Sequence, residues 1–146
     1  MSGLNGRVAI VTGAASGIGK EIALRFAQAG GRPVIADLNL EAAQAVAEEI
    51  KARGGDAFAV AMNVTDEEQV EKGVADTLAK YGKVDILVSN AGIQIVHPLV
   101  GFPFADWKTM LAIHLDGAFL TTRACLKPMY AANYGRVIYM LSLIHI

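Results

Sequence analysis

A glycine-rich segment near the N-terminus has the residue types and the spacing that hold a diphosphate. It runs Thr12-Gly13-Ala14-Ala15-Ser16-Gly17-Ile18-Gly19, between a short apolar run and an amphipathic stretch. The missing Cβ permits a tight turn at Gly13, close approach of a diphosphate at Gly17, and close helix-on-strand packing at Gly19. Unpaired N–H groups at the start of the following helix add a partial positive charge. The segment predicts a dinucleotide-binding turn, with an ordinary glycine-rich turn as the alternative.

An acidic residue stands where such a turn is usually complemented. Asp37 ends the second apolar run, 18 residues beyond Gly19. Its carboxylate can accept hydrogen bonds from both hydroxyls of a ribose. It would repel a 2′-phosphate by roughly 4 kcal/mol per unit charge at about 4 Å and an effective dielectric of about 20. Ala14, Ala15 and Leu38 supply no compensating cation. The pattern favours NAD over NADP, against the alternative of a solvated carboxylate in a turn.

The elements that would position these residues alternate along the chain. Short apolar runs rich in β-branched residues are typical of strands covered on both faces, and amphipathic stretches separate them. The predicted strands span residues 8–11, 34–36, 57–62, 84–88 and 136–140. A longer helix is predicted over residues 107–133, with Pro128 allowing a bend near its end. With right-handed crossovers, this order predicts an α/β fold with a doubly wound parallel sheet of the Rossmann type.

Capping signals and apolar periodicity predict how three of the helices begin and which faces they bury. Ser16, Asn39 and Thr65 are the predicted N-caps, and Thr65 is predicted to form a capping box with Glu68. The predicted inner face of the first helix consists of Ile18, Ile22, Phe26 and Ala27. That of the second consists of Leu40, Ala43, Val46, Ala47 and Ile50, and that of the third of Val70, Val74 and Leu78.

The composition excludes several classes of protein. The chain of 146 residues is 53% hydrophobic, which indicates a folded core, and 13 Lys plus Arg nearly balance 14 Asp plus Glu. That balance lacks the basic footprint of a nucleic-acid binder, and no apolar run reaches the roughly 18 residues of a membrane span. The single cysteine, Cys125, excludes a disulfide framework, and its position predicts core packing. We expect a cytoplasmic protein without nucleic-acid, membrane or metal partners.

The glycine turn departs from the usual dinucleotide fingerprint, because three residues separate its first two glycines. It resembles the T-G-x-x-x-G-x-G turn of the short-chain dehydrogenase/reductase family. Asn90-Ala91-Gly92 follows the fourth predicted strand as that family's N-A-G motif does, and Asn63-Val64 replaces an Asp-Val pair that lies near the adenine. The resemblance implies an oxidoreductase that uses NAD. It implies cofactor contacts by Gly13, Ser16, Gly17, Ile18, Gly19, Asp37, Leu38, Asn63, Val64, Asn90, Ala91 and Gly92.

Segments in the middle of the chain point to a subgroup of that family. Gln94 within residues 91–97, together with residues 102–107 and 113–119, looks like the bacterial D-3-hydroxybutyrate dehydrogenases. The resemblance implies a small 3-hydroxy acid as substrate, its carboxylate bound by Gln94, and a homotetrameric parent protein. The alternatives are another substrate, such as that of a 3-oxoacyl reductase, and a non-catalytic NAD-binding module. Without the resemblance, Gln94 is equally well an amide that hydrogen-bonds its own loop.

Two histidines are expected to be structural polar residues rather than catalytic ones. His97 follows the fourth predicted strand, and His114 lies in the long predicted helix. By the resemblance, most of the family has Asn in the place of His114, where it supports a water in the proton relay. Whether an imidazole holds that water, or the relay is built otherwise, is left open by the sequence.

The proton donor that the resemblance implies is a Tyr-x-x-x-Lys pair, and residues 1–146 contain none. The residues four positions after Tyr81, Tyr130, Tyr134 and Tyr139 are Asp85, Tyr134, Ile138 and Leu143. We therefore expect residues 1–140 to form an incomplete NAD-binding domain that is inactive by itself.

The last six residues have the sequence that CTG TCT CTT ATA CAC ATC encodes, which looks like the end of a transposase sequencing adapter. We expect residues 141–146 to be a non-native tail. Ser142 nevertheless falls where the family's catalytic serine follows the fifth strand, which makes it a candidate stabiliser of the substrate oxygen, with an accidental match as the alternative. Ile144 stands where the hydroxybutyrate enzymes have a histidine that contacts the substrate.

Overall fold

The computed structural model describes residues 3–141, which contain five strands in one parallel sheet. The strands are β1 (Val8–Thr12), β2 (Arg32–Asp37), β3 (Phe58–Ala61), β4 (Ile86–Ser89) and β5 (Arg136–Tyr139). Their order across the sheet is β3-β2-β1-β4-β5, and all neighbouring pairs are parallel. The connection order reverses beside β1, which creates the switch point where ligands bind in such sheets. The predicted doubly wound α/β fold is confirmed.

Five α-helices connect or follow these strands within the described residues. They are α1 (Gly17–Gln28), α2 (Leu40–Ala52), α3 (Glu67–Tyr81), α4 (Phe104–Leu111) and α5 (Gly117–Ala131). A 3-10 turn, Leu99–Gly101, precedes α4, and a π-helical turn, Ala112–Asp116, joins α4 to α5. Across residues 3–141, none of these helices combines the length and the apolar character that a membrane crossing requires.

Apolar side chains pack against both faces of the sheet. On one face, α1 and α2 cover alternate strand residues that include Val11 and Ile35. On the other face, α3 and α5 cover Ile10, Val34 and their neighbours. All five residues of β1 are buried, as expected for a central strand covered on both faces. Cys125 packs in the second cluster, where burial raises the pKa of its thiol to about 12, and its predicted core position is confirmed.

Asp85 fixes the amino ends of β1 and β4 relative to each other. Its carboxylate accepts the backbone N–H of Val8 at 2.9 Å and pairs with Arg7 at 2.7 Å and Lys83 at 2.9 Å. Burial raises the pKa of this carboxyl, but the three donors together lower it by more. The pKa of Asp85 therefore lies below its ordinary value. The two central strands are therefore joined by a polar junction at the end of the sheet opposite to their carboxyl ends.

The predicted cap of α2 is confirmed, whereas the predicted inner face of α1 is wrong at its first residue. The Asn39 side chain accepts the N–H of Ala42 at 3.0 Å. Ser16 precedes α1, but its side chain makes no capping hydrogen bond. Ile18 is 62% exposed, whereas the other predicted residues, Ile22, Phe26 and Ala27, pack against the core. The buried residues of α1 are Gly19, Ala23, Leu24 and Phe26.

The capping box predicted for α3 is wrong, since the helix starts one residue later. Thr65 donates its backbone N–H and its hydroxyl to Oδ1 of Asn63, at 3.0 and 2.8 Å, and this turn occupies it. Asp66 is the N-cap instead, and its carboxylate accepts the N–H of Gln69 at 3.1 Å. A polar side chain that binds its own turn competes in this way with a capping role.

The long helix predicted over residues 107–133 is wrong in its start and its continuity. It begins at Phe104, and the π-helical turn at Ala112–Asp116 interrupts it. The π-turn lies inside the stretch predicted as one continuous helix, and the sequence prediction did not include it. Gly117 follows this turn, and a Cβ there would lie 2.8 Å from Cγ2 of Val64. The π-turn thus brings the start of α5 against the segment that follows β3.

Candidate functional site

A cleft of about 710 Å³ lies at the carboxyl ends of β1 to β4. The loops that follow these strands form most of its wall, and the junction of α4 with the π-turn closes one side. The predicted cofactor residues that line it are Gly13, Ser16, Ile18, Gly19, Asp37, Leu38, Asn63, Val64, Asn90, Ala91 and Gly92. Gly17 lies in the same turn, between two of these residues, but is not part of the lining. The structure therefore brings together side chains from four separate loops.

Six further residues of the lining were missed by sequence reasoning. They are Met62, Thr65, Ile93, Thr109, Ala112 and Ile113. The first three are chain neighbours of predicted residues, so adjacency was the signal that pointed to them. The last three come from α4 and the π-turn, and only the tertiary arrangement places them here.

The glycine turn is shaped by backbone conformations and distances that a side chain would disturb. Gly13 and Gly17 have φ values of +64° and +55°, in the left-handed region that glycine adopts without strain. A Cβ on Gly19 would overlap the carbonyl oxygen of Gly13 and lie 2.5 Å from Nδ2 of Asn90. The first turn of α1 can therefore pack directly onto the loop after β1, with its N-terminus at the cleft.

Thr12 and Asn90 join the ends of β1 and β4. The Thr12 hydroxyl oxygen accepts the backbone N–H groups of Asn90 and Ala91, both at 3.0 Å. In return, Nδ2 of Asn90 donates to the Thr12 carbonyl at 3.0 Å. The Asn90 amide is thus used to hold the two loops at a fixed separation.

Asp37 is held in one orientation at the end of β2. Its Oδ2 accepts the backbone N–H of Ala15 at 3.0 Å, and its Oδ1 accepts that of Asn39 at 3.1 Å. A carboxylate oxygen has about two acceptor positions, so each keeps one for a ligand. Among the lining residues that the structure describes, Asp37 carries the only formal charge. The cleft therefore offers paired acceptors and a negative charge at this point.

A second cavity of about 730 Å³ adjoins the first through Ala91 and Ile93. Gln94, the predicted substrate-binding residue, lines this second cavity and not the first. Most of its other described lining is apolar, and the polar groups include Ser89, His114 and Tyr139. Apolar walls with a few polar groups suit a small organic ligand.

Both histidines make contacts with neighbouring segments. The His114 ring lies in the π-turn with Nε2 at 2.7 Å from the Ile93 carbonyl, and the N–H of Ile93 is 3.3 Å from the same nitrogen. A Cβ on Gly92 would lie 2.6 Å from Cε1 of this ring, so the imidazole packs directly on the loop between the two cavities. His97 pairs with Asp106 of α4 at 3.2 Å and lines neither cavity.

Ser142, the predicted catalytic residue, lies outside the described residues, and so do residues 143–146. Within residues 3–141, no group of three or more His, Cys, Asp or Glu side chains is arranged to hold a metal ion. The residues brought together by the structure are therefore those of the cleft and of the adjoining cavity.

Comparison with known proteins gives one family. A family model described as short chain dehydrogenase matches residues 7–145. A 3-oxoacyl-[acyl-carrier-protein] reductase of Synechocystis is 40% identical, and the match covers 97% of this chain and 58% of that protein. A D-threitol dehydrogenase of Mycolicibacterium smegmatis is also 40% identical, with 95% of this chain and 54% of that protein covered. The chain spans little more than half the length of these relatives.

Solved structures show the same likeness in three dimensions. A 7α-hydroxysteroid dehydrogenase, complexed with NADH and 7-oxo glycochenodeoxycholic acid, has a TM-score of 0.91 at 37% identity. The match covers 96% of this chain and 55% of that one. A metagenomic short-chain oxidoreductase in complex with NADP has a TM-score of 0.90 at 36% identity, with 98% of this chain and 65% of that one covered. The nicotinamide cofactor thus differs between these two structures.

Proposed function

Because this chain belongs to the short-chain dehydrogenase family, we propose that its cleft binds NAD. We further propose that the full-length protein transfers a hydride between NAD and a small hydroxy or oxo compound. The observation that carries the proposal is the first turn of α1 packed on the glycine loop after β1, with the Asp37 carboxylate hydrogen-bonded to the Ala15 N–H of that loop. The N–H groups at the start of α1 suit a diphosphate, and the carboxylate suits a ribose diol.

The charge of Asp37 supports NAD over NADP. A 2′-phosphate on the ribose would approach the carboxylate, and at about 4 Å and an effective dielectric of about 20 the repulsion is roughly 4 kcal/mol per unit charge. The described lining holds no Lys or Arg that would offset it. The nearby cation Lys20 is paired with Glu49 at 2.8 Å.

The remaining cofactor contacts are proposed for the described residues around the cleft. Ser16, Gly17 and Ile18 would lie along the diphosphate, and Leu38 with Asn63 and Val64 at the adenosine end. Ala91 and Gly92 would lie beneath the nicotinamide half, held there by Asn90. The bound nicotinamide supplies the hydride acceptor or donor. The residues around the cleft would orient the nicotinamide towards the adjoining cavity.

For the substrate, the relatives favour a broader proposal than D-3-hydroxybutyrate. These relatives are named for a 3-oxoacyl-[acyl-carrier-protein], a threitol and a steroid, and they share the oxidoreductase class without sharing a substrate. The second cavity supports a small hydroxy or oxo substrate, with Gln94 as its polar contact. A 3-hydroxy acid remains one candidate within this class, and another short-chain dehydrogenase substrate is the better supported reading.

Three further features of the parent protein are part of the proposal. We propose that residues 1–140 form the NAD-binding domain, that residues 141–146 are a non-native tail, and that Ser142 contacts the substrate oxygen only if it is native. We also propose a cytoplasmic homotetramer. Exposed apolar side chains on α4 and α5, which include Phe104, Trp107 and Phe119, support self-association.

Titration of the 146-residue chain with NADH, followed by nicotinamide fluorescence, tests the proposed binding. We expect saturable binding of NADH, binding of NADPH that is weaker by at least about a hundredfold, and loss of both with Gly19→Ala, which obstructs the turn. Gly101→Ala is the matched control, since a Cβ there meets nothing within 4 Å. Absence of saturable NADH binding by the unmodified chain would overturn the proposal.

Turnover distinguishes an enzyme from a non-catalytic NAD-binding module. The 146-residue chain is expected to form no NADH from hydroxy substrates, because none of its tyrosines has a lysine four positions later. The full-length protein is expected to form NADH with at least one member of a panel of 3-hydroxy acids and polyols. A full-length protein that binds NADH but oxidises none of them would favour the binding module.

A further inference from the structure

The outer edge of β5 is the free end of the sheet with the most open apolar surface. β5 lies at one end of the strand order, and among residues 3–141 it pairs with β4 alone. We propose that in the 146-residue protein this edge pairs with β5 of a second copy, antiparallel and around a two-fold axis at Ile138. Two five-stranded sheets then join into one continuous sheet. The inference concerns self-association and does not depend on the proposed binding of NAD.

The backbone of β5 presents hydrogen-bonding groups on its outer side. The N–H groups of Arg136 and Met140 donate to the carbonyls of Asp85 and Ser89, both at 3.0 Å, and so face β4. Along a strand, the backbone groups of alternate residues point to opposite sides. The N–H and C=O groups of residues 137 and 139 therefore point to the side without a neighbouring strand. A row of this kind is a template for another strand.

The side chains of this edge favour pairing rather than prevent it. Residues 136–140 contain no proline, lysine or acidic residue, and such residues commonly protect an edge strand. Ile138 is 48% exposed and Met140 is 41% exposed. At the opposite edge of the sheet, Val60 of β3 is only 4% exposed. Of the two edges, β5 is therefore the one that gains apolar contacts from a partner strand.

The length of the remaining chain favours a second copy as the partner. In the 146-residue protein, residues 142–146 follow the described part. A parallel neighbour requires a crossover connection of a dozen or more residues. A hairpin with a two-residue loop would leave fewer residues for a return strand than the four of β5. A second copy, by contrast, brings a strand of matching length with the same unpaired groups.

The symmetry of the paired segment determines the register. β4 holds residues 136–140 by hydrogen bonds at both ends, and Ile138 is their midpoint. An antiparallel pair centred there sets Ile138 opposite its own copy and Val137 opposite Tyr139 of the second copy. The outward groups of residues 137 and 139 then exchange hydrogen bonds. The two Arg136 side chains lie about 13 Å apart along the strands, so that like charges do not oppose each other.

Cross-linking by engineered cysteines tests the axis directly. Ile138→Cys would place two thiols in a non-hydrogen-bonded antiparallel pair, whose Cα atoms are about 4.5 Å apart, within the range of a disulfide. In Arg136→Cys and Met140→Cys, each thiol lies about 13 Å along the strands from its own copy. After mild oxidation, we expect a disulfide-linked dimer of Ile138→Cys and monomers of the other two on non-reducing gels. The unmodified chain is the blank, because its single cysteine, Cys125, is buried.

Sedimentation over a concentration series separates the β5 edge from the apolar surface of α4. Ile138→Lys opposes two like charges at the axis and is expected to stay monomeric where the unmodified chain is dimeric. Phe104→Lys adds the same charge on α4, where Phe104 is 73% exposed, and is expected to leave the dimer in place. Because the pairing is reversible, dilution should return the monomer, in which Ile138 is half-exposed.

Three results would overturn the inference. They are an unmodified chain that is monomeric throughout the series, a dimer that persists in Ile138→Lys, and cross-linking of Arg136→Cys or Met140→Cys as rapid as that of Ile138→Cys. Each of them would leave the proposed binding of NADH intact, since the β5 edge lies outside the lining of the dinucleotide cleft.

Discussion

The two sides of the sheet differ in how completely this chain covers the residues that line its cavities. The glycine turn and Asp37 follow β1 and β2, whose central residues Val11 and Ile35 are fully buried. Gln94 and His114 line a cavity beside β5, where Ile138 is 48% exposed. The positions on the cofactor side are held by hydrogen bonds between loops, whereas one wall of the second cavity is an exposed strand.

This difference teaches that cofactor binding and substrate recognition depend on different amounts of structure. The contacts that shape the dinucleotide cleft lie within β1 to β4 and their loops, and all of them are among the described residues. The second cavity shares with that region Ser89, at the end of β4, and the loop residues Ala91 and Ile93, while most of its other lining comes from α4, the π-turn, α5 and β5. We therefore expect the chain to bind a dinucleotide without a complete substrate site. Substitutions on the two sides should have unequal effects.

The largest effect is expected from removing the charge at the end of β2. Asp37→Asn removes the repulsion of a 2′-phosphate and should reduce the preference for NADH over NADPH by on the order of a hundredfold to a thousandfold. The ratio of the two dissociation constants, from fluorescence titration, is the measurement. Asp76→Asn is the control, because Asp76 pairs with Lys72 on the outer surface of α3 and is expected to leave the ratio unchanged. An unaltered ratio in Asp37→Asn would show that the charge of Asp37 does not determine the preference for NADH over NADPH.

A pair of equal substitutions in β2 and β5 compares the two sides directly. Ile35→Ala empties a fully buried site and should lower the free energy of unfolding by about 3 kcal/mol. Ile138→Ala removes the same atoms from a half-exposed site and should cost below about 1 kcal/mol. Urea denaturation of the two variants gives both values. Equal losses would show that β5 is packed as tightly as β2, which contradicts the contrast between the two sides.

A smaller effect is expected at the junction that both sides share. Asp85→Asn keeps an acceptor for the Val8 N–H but loses the charge that pairs with Arg7 and Lys83, and we expect a loss of about 2 kcal/mol in the free energy of unfolding. Because Arg7 and Lys83 are about a third exposed, this figure is lower than for a fully buried pair.

The pH dependence of that loss follows from the lowered pKa of Asp85. Burial raises this pKa, and the three donors lower it more, so the folded value lies below the ordinary 3.8. The stabilisation is then fully present above the ordinary pKa and is lost as the pH falls through the folded one. The difference in unfolding free energy between the unmodified chain and Asp85→Asn should therefore shrink as the pH falls below about 4. A difference that is constant from neutral pH down to acid would show that the charge plays no part.

The sequence predicted those features of the fold that depend on local patterns. Short apolar runs marked all five strands, and in β1, β2 and β4 most of these residues are buried because helices cover both faces of the sheet. Glycine spacing marked the turn after β1, where both the left-handed backbone at Gly13 and the contact at Gly19 exclude a side chain. The capping side chain of Asn39 was likewise a local signal.

The features that the sequence did not reveal depend on tertiary contacts. The π-turn around His114 interrupts a stretch predicted as continuous helix, and its residues Ala112 and Ile113 line the cleft beside the point where the start of α5 packs on the segment after β3. Thr65 looks like a helix cap, but its donors are taken by the Asn63 carboxamide. Ser142 lies outside the described residues, so its predicted role stays a prediction.

Hydrogen–deuterium exchange of the 146-residue chain, with and without saturating NADH, tests the central claim most directly because it locates the ligand. The claim is that a dinucleotide lies across the ends of β1 to β4. We predict that NADH slows exchange in the segments 12–19, 36–39, 62–65 and 89–93 and leaves β5 and the outer part of α5 unchanged. Slowed exchange that is confined to α5 and β5, or no change in the first two segments, would contradict it.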